Sequence, residues 1–322
     1  MRHLTIAVAS YQRRLPLEGL LHELRAQLVA DPSLQEALEV AVVLDGSSDG
    51  SREMVEGLRF PVPLRAIWQP NRGLASARNA GLAAASDLVW FLDDDLVPAP
   101  GLVRRHRRAH DVGGDLILMG PCVVPPDWPI PPSTRHFWEQ EYAELAVTGS
   151  VGRFDQFSAA NTSGPAGLFR SVGGFEESFV GYGLEDYELA IRLLRAGLAI
   201  RFDPEAVAWH HQHRRFSELL AFTLSEGRNA VNLAALHPEL EAEIFSSERS
   251  AFASHRLWRL RLRSPRRLRL ASRLLGLPAV VEGRLTKGRI HRITDLARAA
   301  AYAAGVAEVD TEGRLLARLL QP

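Results

Sequence analysis

The chain opens on LTIAVASY, residues 4–11, a run with almost no polar interruption. Such a continuous apolar run fits a strand buried on both faces. The period then changes. In PLEGLLHELRAQLVA, residues 16–30, Leu17, Leu20, Leu21, Leu24 and Leu28 recur at three- and four-residue spacing, which makes one face of a helix apolar. The alternation continues down the chain. LEVAVVLDG (38–46) reads as a second buried strand, and DGSREMVEGL as a helix with Ser51 or Asp49 as its N-cap. VPLRAIWQ predicts a third strand, GLASARNAGLAAAS a helix, and DLVWFLDDD a fourth strand. Strands alternating with helices predict an α/β fold with a mostly parallel sheet covered by helices on both faces.

Beyond residue 120 the pattern loosens. PCVVPPDWPIPPS (121–133) is too rich in proline for regular structure and reads as a long surface excursion over the cleft. SVGGFEESFVGYGLEDYELAIRLLRAG (171–197) is a glycine-rich loop that runs into a helix. LAIRFDPEAVAWHH predicts two short strands, and everything after about residue 215 reads as helical. The expected division is a catalytic α/β domain over 1–235 and a basic, mainly helical extension over 236–322.

In open parallel sheets, ligands bind outside the carboxyl ends of the strands. The first predicted strand ends at Ser10 and Tyr11, the second at Asp45 and the fourth at Asp93, Asp94 and Asp95. If the backbone stays extended there, Asp93 and Asp95 point one way and Asp94 the other. Two carboxylates on one side repel unless a cation sits between them, and oxygen ligands suit Mg²⁺ or Mn²⁺. A solvated acidic turn accounts for the same residues without a metal. Asp45 can bond a nucleobase or ribose, although turn chemistry alone satisfies its neighbours Asp49, Gly50 and Ser51. Arg78, in the helix leading to the acidic strand, can neutralise a diphosphate or simply lie on an exposed helix face. Glu185 and Asp186 sit at a predicted helix start, where the helix dipole favours acids and where one carboxylate can serve as a general base. WHHQH (209–213) offers His210, His211 and His213, a metal-completing imidazole or a surface histidine cluster.

Composition adds bounds. Of the 322 residues, 46% are hydrophobic and 24% charged, enough for a full core and too few charges for global disorder. Lys+Arg and Asp+Glu both number 38, so net charge points to no polyanionic partner. That balance conceals a basic region: Arg249 to Arg292 contains thirteen Arg or Lys and one acid, Glu282. Cys122 is the single cysteine, which excludes an intrachain disulfide and fits a reducing cytoplasm. The N-terminus has too short an apolar run for a signal peptide, and no run of about 18 apolar residues predicts a membrane span.

Taken together, the ordered motifs resemble a family-2-type glycosyltransferase of the GT-A, Rossmann-like fold, over roughly residues 3–235. IAVASYQR resembles the family's opening strand, and LDGSSDGS its DDGSTDGT-like strand end, with Leu44 in place of the first Asp. NRGLASARNAG resembles the family's Asn-to-Arg-Asn helix, and FLDDDLVP its metal-binding aspartate motif. The second half resembles a segment shared with galactosyltransferases: Asn161 in FSAANTSG, then SVGGFEESF with Glu176 where the family has Asp, then the Glu185–Asp186 pair, then AVAWHHQH. The resemblance implies donor-binding roles for Ser10, Tyr11, Arg13, Asp45, Arg78, Asp93 and Asp94. It implies Mn²⁺ or Mg²⁺ held by Asp93, Asp95 and His210 or His211, and Asp186 as catalytic base beside Glu185. The expected reaction is a metal-dependent, inverting transfer from a nucleoside-diphosphate sugar, UDP being the commonest base in the family, to an acceptor hydroxyl on a glycan, lipid-linked sugar or small molecule.

Two other functions compete. A non-catalytic sugar-nucleotide binder or scaffold would share the donor site, and the intact Asp93/Asp95 and Glu185/Asp186 sets argue against it. A sugar-phosphate nucleotidyltransferase would need a glycine-rich, Arg- and Lys-bearing loop after the first strand, which ASYQRRLPLEG lacks. The basic segment HRLWRLRLRSPRRLRLASRLLGL (255–277) reads first as a helical cap with snorkelling arginines, second as a peripheral contact with the inner membrane face. Its aromatics are too sparse to suggest nucleic acid.

Overall fold

The computed structural model describes residues 2–111, 113–132, 134–135, 142–210, 216–246, 264–276 and 287–319. Their contacts divide the chain into two compact units, one formed by the described residues of 1–128, 141–177 and 185–212, the other by those of 129–140, 178–184 and 213–322.

The first unit is built on a seven-stranded sheet of order β3-β2-β1-β4-β8-β6-β9. Its strands are β1 (Leu4–Ser10), β2 (Leu38–Asp45), β3 (Leu64–Gln69), β4 (Leu88–Leu92), β6 (Ile117–Met119), β8 (Asn161–Pro165) and β9 (Ile200–Phe202). β1, β2, β3 and β4 run parallel, with Leu4 opposite Leu38 and Leu88. β8 runs antiparallel between β4 and β6. A second, three-stranded sheet sets β10 (Ala208–His210) between β5 (Leu96–Pro98) and β7 (Cys122–Val123).

Alternation explains why the central strands look uniformly apolar. Ile6, Val8, Val40, Val42, Leu88, Trp90 and Leu92 face one apolar layer, closed by the five predicted leucines of α1 (Arg14–Ala30) and by Leu102 and Val103 of α4 (Leu102–Ala109). Ala7, Val89, Phe91, Ile117 and Met119 face the other, which α3 (Leu74–Ala84) and α5 (Glu185–Arg195) complete through Leu82, Leu189 and Leu193. Both faces are therefore buried, as the parallel α/β pattern requires.

Two local expectations differ in detail. α2 (Ser51–Gly57) takes Gly50, at φ 84°, as its N-cap, while the Asp49 carboxylate accepts the Ser51 N–H and O–H at 3.2 and 2.6 Å. A left-handed cap suits glycine, and Asp49 still supplies the side-chain acceptor one residue earlier. The proline-rich segment is not wholly a surface excursion, since Pro121, Cys122 and Val124 are buried. Pro121 has no N–H to place, but its carbonyl accepts the Ala208 N–H at 3.0 Å, so β7 can pair with β10.

The second unit is helical. α6 (Phe216–Leu236), α7 (Pro265–Gly276) and α8 (Lys287–Val309) form its main elements. The predicted boundary at 235 falls at the last turn of α6. α6 and α8 cross closely because two glycines meet backbone: a Cβ on Gly227 would lie 2.1 Å from the Tyr302 carbonyl, and one on Gly305 would lie 2.0 Å from that of Leu224. The small-residue run AAAYAAG of α8 supplies the rest of that surface, with Ala300, Ala301 and Ala304 buried. Among the described residues, no helix is long and apolar enough to cross a membrane.

Candidate active site

The site forms where the parallel strands stop. After Leu92 the Asp93 N–H bonds the Ala160 carbonyl at 3.0 Å, and the Leu96 N–H bonds the Asp93 carbonyl at 3.3 Å. The three aspartates therefore lie on a tight turn. The extended backbone on which Asp93 and Asp95 would share a face is absent, and the carboxylates sort differently. Asp94 and Asp95 both meet Arg13, and Asp93 meets Arg78.

Arg13, between β1 and α1, places Nη1 3.2 Å from Asp94 Oδ1 and Nη2 2.7 Å from Asp95 Oδ2. The antiparallel pairing of β10 with β5 sets His210 opposite Leu96 and brings its Nε2 within 3.1 Å of the same Asp95 oxygen. Arg78, on α3 and only 5% exposed, joins two other elements. Its Nη2 lies 2.9 Å from Asp93 Oδ1 and its Nη1 2.8 Å from Glu185 Oε1, with the guanidinium 5.4 Å from the centre of the Phe175 ring. Glu185 is buried at the start of α5. Its neighbour Asp186 is partly exposed and accepts the Tyr187 N–H at 3.0 Å. Arg78 thus fixes the distance between the aspartate turn and the Glu185–Asp186 pair, although they lie far apart in sequence.

The remaining expected residues surround this cluster. Ser10 is buried at the end of β1 and Tyr11 beyond it is exposed. Asp45, at the end of β2, is buried and accepts three hydrogen bonds: from Gln69 Nε2 at 2.7 Å and from the Arg72 and Gly73 N–H groups at 2.9 and 2.8 Å. It secures the loop that delivers α3 and hence Arg78. His211 and His213 lie outside the described residues.

Charge settles unevenly across the turn. Burial works against the Arg13 charge, but Asp94 and Asp95 more than offset it, so the guanidinium is held more firmly protonated than usual. Arg78 is held the same way, burial being outweighed by Asp93, Glu185 and Asp186. Burial pushes Asp94 up to about 7, Arg13 opposing and Asp95 reinforcing the rise. For Asp95, burial is outweighed by His210 and Arg13, which hold it well below the usual carboxylate range. The two adjacent carboxyls are thus driven apart, Asp94 upward and Asp95 downward, as expected of close acids sharing one cation.

The donor set suits a divalent cation that keeps open positions. Among the described residues, no group of three His, Cys, Asp or Glu converges on one point. Asp95 and His210 do meet, offering one carboxylate and one imidazole, and Mg²⁺ and Mn²⁺ sites commonly take one or two protein ligands plus substrate phosphate oxygens. Asp94 Oδ2, buried beside them, has no hydrogen-bond partner.

The sequence reading missed a buried network beneath the turn. Trp90 Nε1 donates to Asn161 Oδ1 at 3.1 Å, which fixes that atom as the oxygen. His106 Nε2 lies 2.9 Å from the same oxygen and must therefore donate to it. His106 Nδ1 then accepts from Ser163 Oγ at 2.8 Å, and Ser163 accepts from His110 Nε2 at 2.8 Å. Asn161 Nδ2 donates to the Ala206 carbonyl at 2.8 Å. The signal was present in LVRRHRRAH, where His106 and His110 are four residues apart, on the face that Val103 buries.

A partly parallel sheet with an acidic turn at its carboxyl edge, a helix-borne carboxylate pair and a strand-borne histidine define a GT-A type of nucleotide-sugar enzyme fold. Residues 5–157 match the family model described as glycosyl transferase family 2, and residues 151–214 match one described as N-terminal domain of galactosyltransferase. The chain belongs to the family-2-type glycosyltransferases. It is similar to validoxylamine A glucosyltransferase of Streptomyces hygroscopicus subsp. jinggangensis, 29% identical over 288 residues that cover 80% of this chain and 67% of that one. It also resembles the uncharacterized glycosyltransferase YfnE of Bacillus subtilis, 26% identical over 65% of this chain and 64% of that protein. The chain spans about two thirds of the length of these relatives. In fold it is similar to the mannosyltransferase PcManGT of Pyrobaculum calidifontis, solved with GDP-Man and Mn²⁺, with a TM-score of 0.61, 19% identity, and 95% and 87% of the two chains covered.

Proposed function

We propose that this protein transfers a sugar from a nucleoside-diphosphate sugar, a UDP-sugar in the first instance, to an acceptor hydroxyl with inversion at the anomeric carbon. The observation that carries the reading is the Arg78 bridge, which ties Asp93 to Glu185 and so sets Asp186 beside the aspartate turn. Asp186 is the partly exposed carboxylate of its pair, while Glu185 is committed to Arg78. In the proposed step the acceptor oxygen attacks the anomeric carbon, its proton passes to the Asp186 carboxylate, and the bond to the diphosphate oxygen breaks with its electron pair on the leaving group. Asp95 and His210 are the residues that would hold Mn²⁺ or Mg²⁺, whose Lewis acidity would offset the charge gathered on the leaving diphosphate. Ser10, Tyr11, Arg13, Asp45, Asp93 and Asp94 form the donor side. A cytoplasmic location is part of the same reading.

Two measurements test it. Thermal shifts with UDP, GDP, dTDP and CDP, each with Mn²⁺ or with EDTA, should show stabilisation by one nucleotide that needs the metal and is lost in Asp95→Ala. Asp186→Asn should lower turnover by about 10²–10⁴-fold while the nucleotide shift is kept. Turnover unchanged in Asp186→Asn, or a product of retained configuration by NMR, would overturn the mechanism.

A further inference from the structure

α7 carries PRRLRLASRLLG, four arginines with no acid. Its inner face is set by burial: Leu268 is 1% exposed, Ser272 is buried, and Arg269 is ion-paired with Glu308 of α8. The outer residues Arg266, Arg267, Leu270, Arg273 and Leu274 follow the spacing i, i+1, i+4, i+7, i+8, which is one stripe along a helix. Leu270 and Leu274 are 57% and 55% exposed, one turn apart, and Arg266, Arg267 and Arg273 make no ion pair among the described residues. A single exposed leucine needs no explanation, but two in register between unpaired arginines form an amphipathic strip with a uniform positive rim.

We propose that this stripe docks the protein on an anionic lipid surface. The arginine stems can lie along the leucines while their guanidinium groups reach phosphate, so that both leucines enter the boundary between headgroups and acyl chains. Charge selects this occupant over the alternatives. A second copy on the same patch would set arginine against arginine across a two-fold axis. Nucleic acid would gain phosphate contacts but would find no aromatic ring in the stripe on which to stack a base. The inference concerns a surface of the helical unit and does not depend on the sugar-transfer reading.

The test is sedimentation of the full chain with phosphatidylcholine vesicles, with and without about a third of phosphatidylglycerol. The wild type should pellet with the anionic vesicles only, and less as salt rises. The variant R266Q/R267Q/R273Q should partition roughly 100-fold more weakly, at about fivefold per arginine. L270Q/L274Q should also bind more weakly, with its salt dependence kept. Both variants should keep the wild-type melting temperature and nucleotide shift, so a chain that binds no nucleotide still reports on this surface. Equal pelleting of the wild type and the arginine variant would overturn the proposal. So would equal recovery on neutral vesicles, or a dimer in solution that the arginine variant abolishes.

Discussion

Arg13 and Arg78 make the same kind of contact in different surroundings. Each joins two carboxylates at the carboxyl edge of the sheet. Arg78 is 5% exposed and pairs with Glu185, itself buried, whereas a third of the Arg13 side chain is in solvent. A buried pair resists exchange, because removing one partner strands the other in a medium that solvates it poorly. A partly exposed pair can give up a partner to water, to a cation or to a phosphate at small cost. The comparison assigns different work to the two arginines. Arg78 is a strut between α3, the aspartate turn and α5. Arg13 covers the carboxylates that a donor and its metal would reach.

The largest effect that separates them is the loss of the strut. Arg78→Met should cost about 3–5 kcal/mol of unfolding free energy, because Glu185 would be left buried and unpaired. The double variant R78M/E185L should recover most of that loss, since replacing a whole buried pair by apolar groups is often close to neutral. Urea unfolding at neutral pH reads both values. A single variant costing under about 1 kcal/mol, or a double variant as unstable as the single, would end the assignment of Arg78 as a strut.

The two arginines also mark where the sequence was legible. The apolar runs and the leucine stripe identify β1, β2, β4 and α1 from residue pattern alone, because burial on both faces leaves a direct imprint on composition. The strand-end rule then puts Ser10, Asp45 and the aspartates on one edge. What stayed hidden depends on contacts between distant segments. Nothing in ASARN says that Arg78 meets Glu185. β8, the strand NTSGP, has no apolar pattern to announce it: Asn161, Thr162 and Ser163 are buried because side-chain hydrogen bonds satisfy them. The turn at Asp93 is likewise set by the Ala160 carbonyl on the neighbouring chain segment.

The second prediction concerns the network that backs the rigid side. Burial, then repulsion from His110, holds His106 down at about 3, against the pull of Asn161. Burial, then Arg2, Arg201 and Arg107, holds His110 down at about 4, with Asp111 opposing. Unfolded histidines bind protons near pH 6.5, so each contributes stability that is full above that pH and is lost as pH falls toward 4. Asp94 acts in the opposite sense between 3.8 and about 7, because its folded form keeps a proton that the unfolded chain releases. Two protons against one leave a net slope of about 1.4 kcal/mol per pH unit, with stability falling on acidification. His110→Gln removes one of the two and should make stability nearly flat between pH 6.5 and 4.5. Urea midpoints at three pH values decide this, and an unchanged slope in the variant would exclude His110 as a source.

The smallest expected effect is the most informative about the open side. Arg13→Gln should change unfolding free energy by no more than about 1 kcal/mol, since the partly exposed guanidinium keeps part of its hydration, Asp95 keeps His210, and the buried Asp94 can answer the loss by holding its proton. Its consequence should appear in ligand binding. Without Arg13, Asp94 and Asp95 lose the cation that now covers them, while Asp95 keeps His210. Divalent cations should then bind more tightly in the absence of nucleotide, because the same carboxylates offer more uncompensated charge. Isothermal titration of Mn²⁺ into the two proteins measures this directly. Tighter metal binding with unchanged stability is the pattern of an exchangeable cover. If Arg13→Gln is instead as costly to fold as Arg78→Met, both arginines are struts, and exposure fails to distinguish a structural bridge from one that a substrate can open.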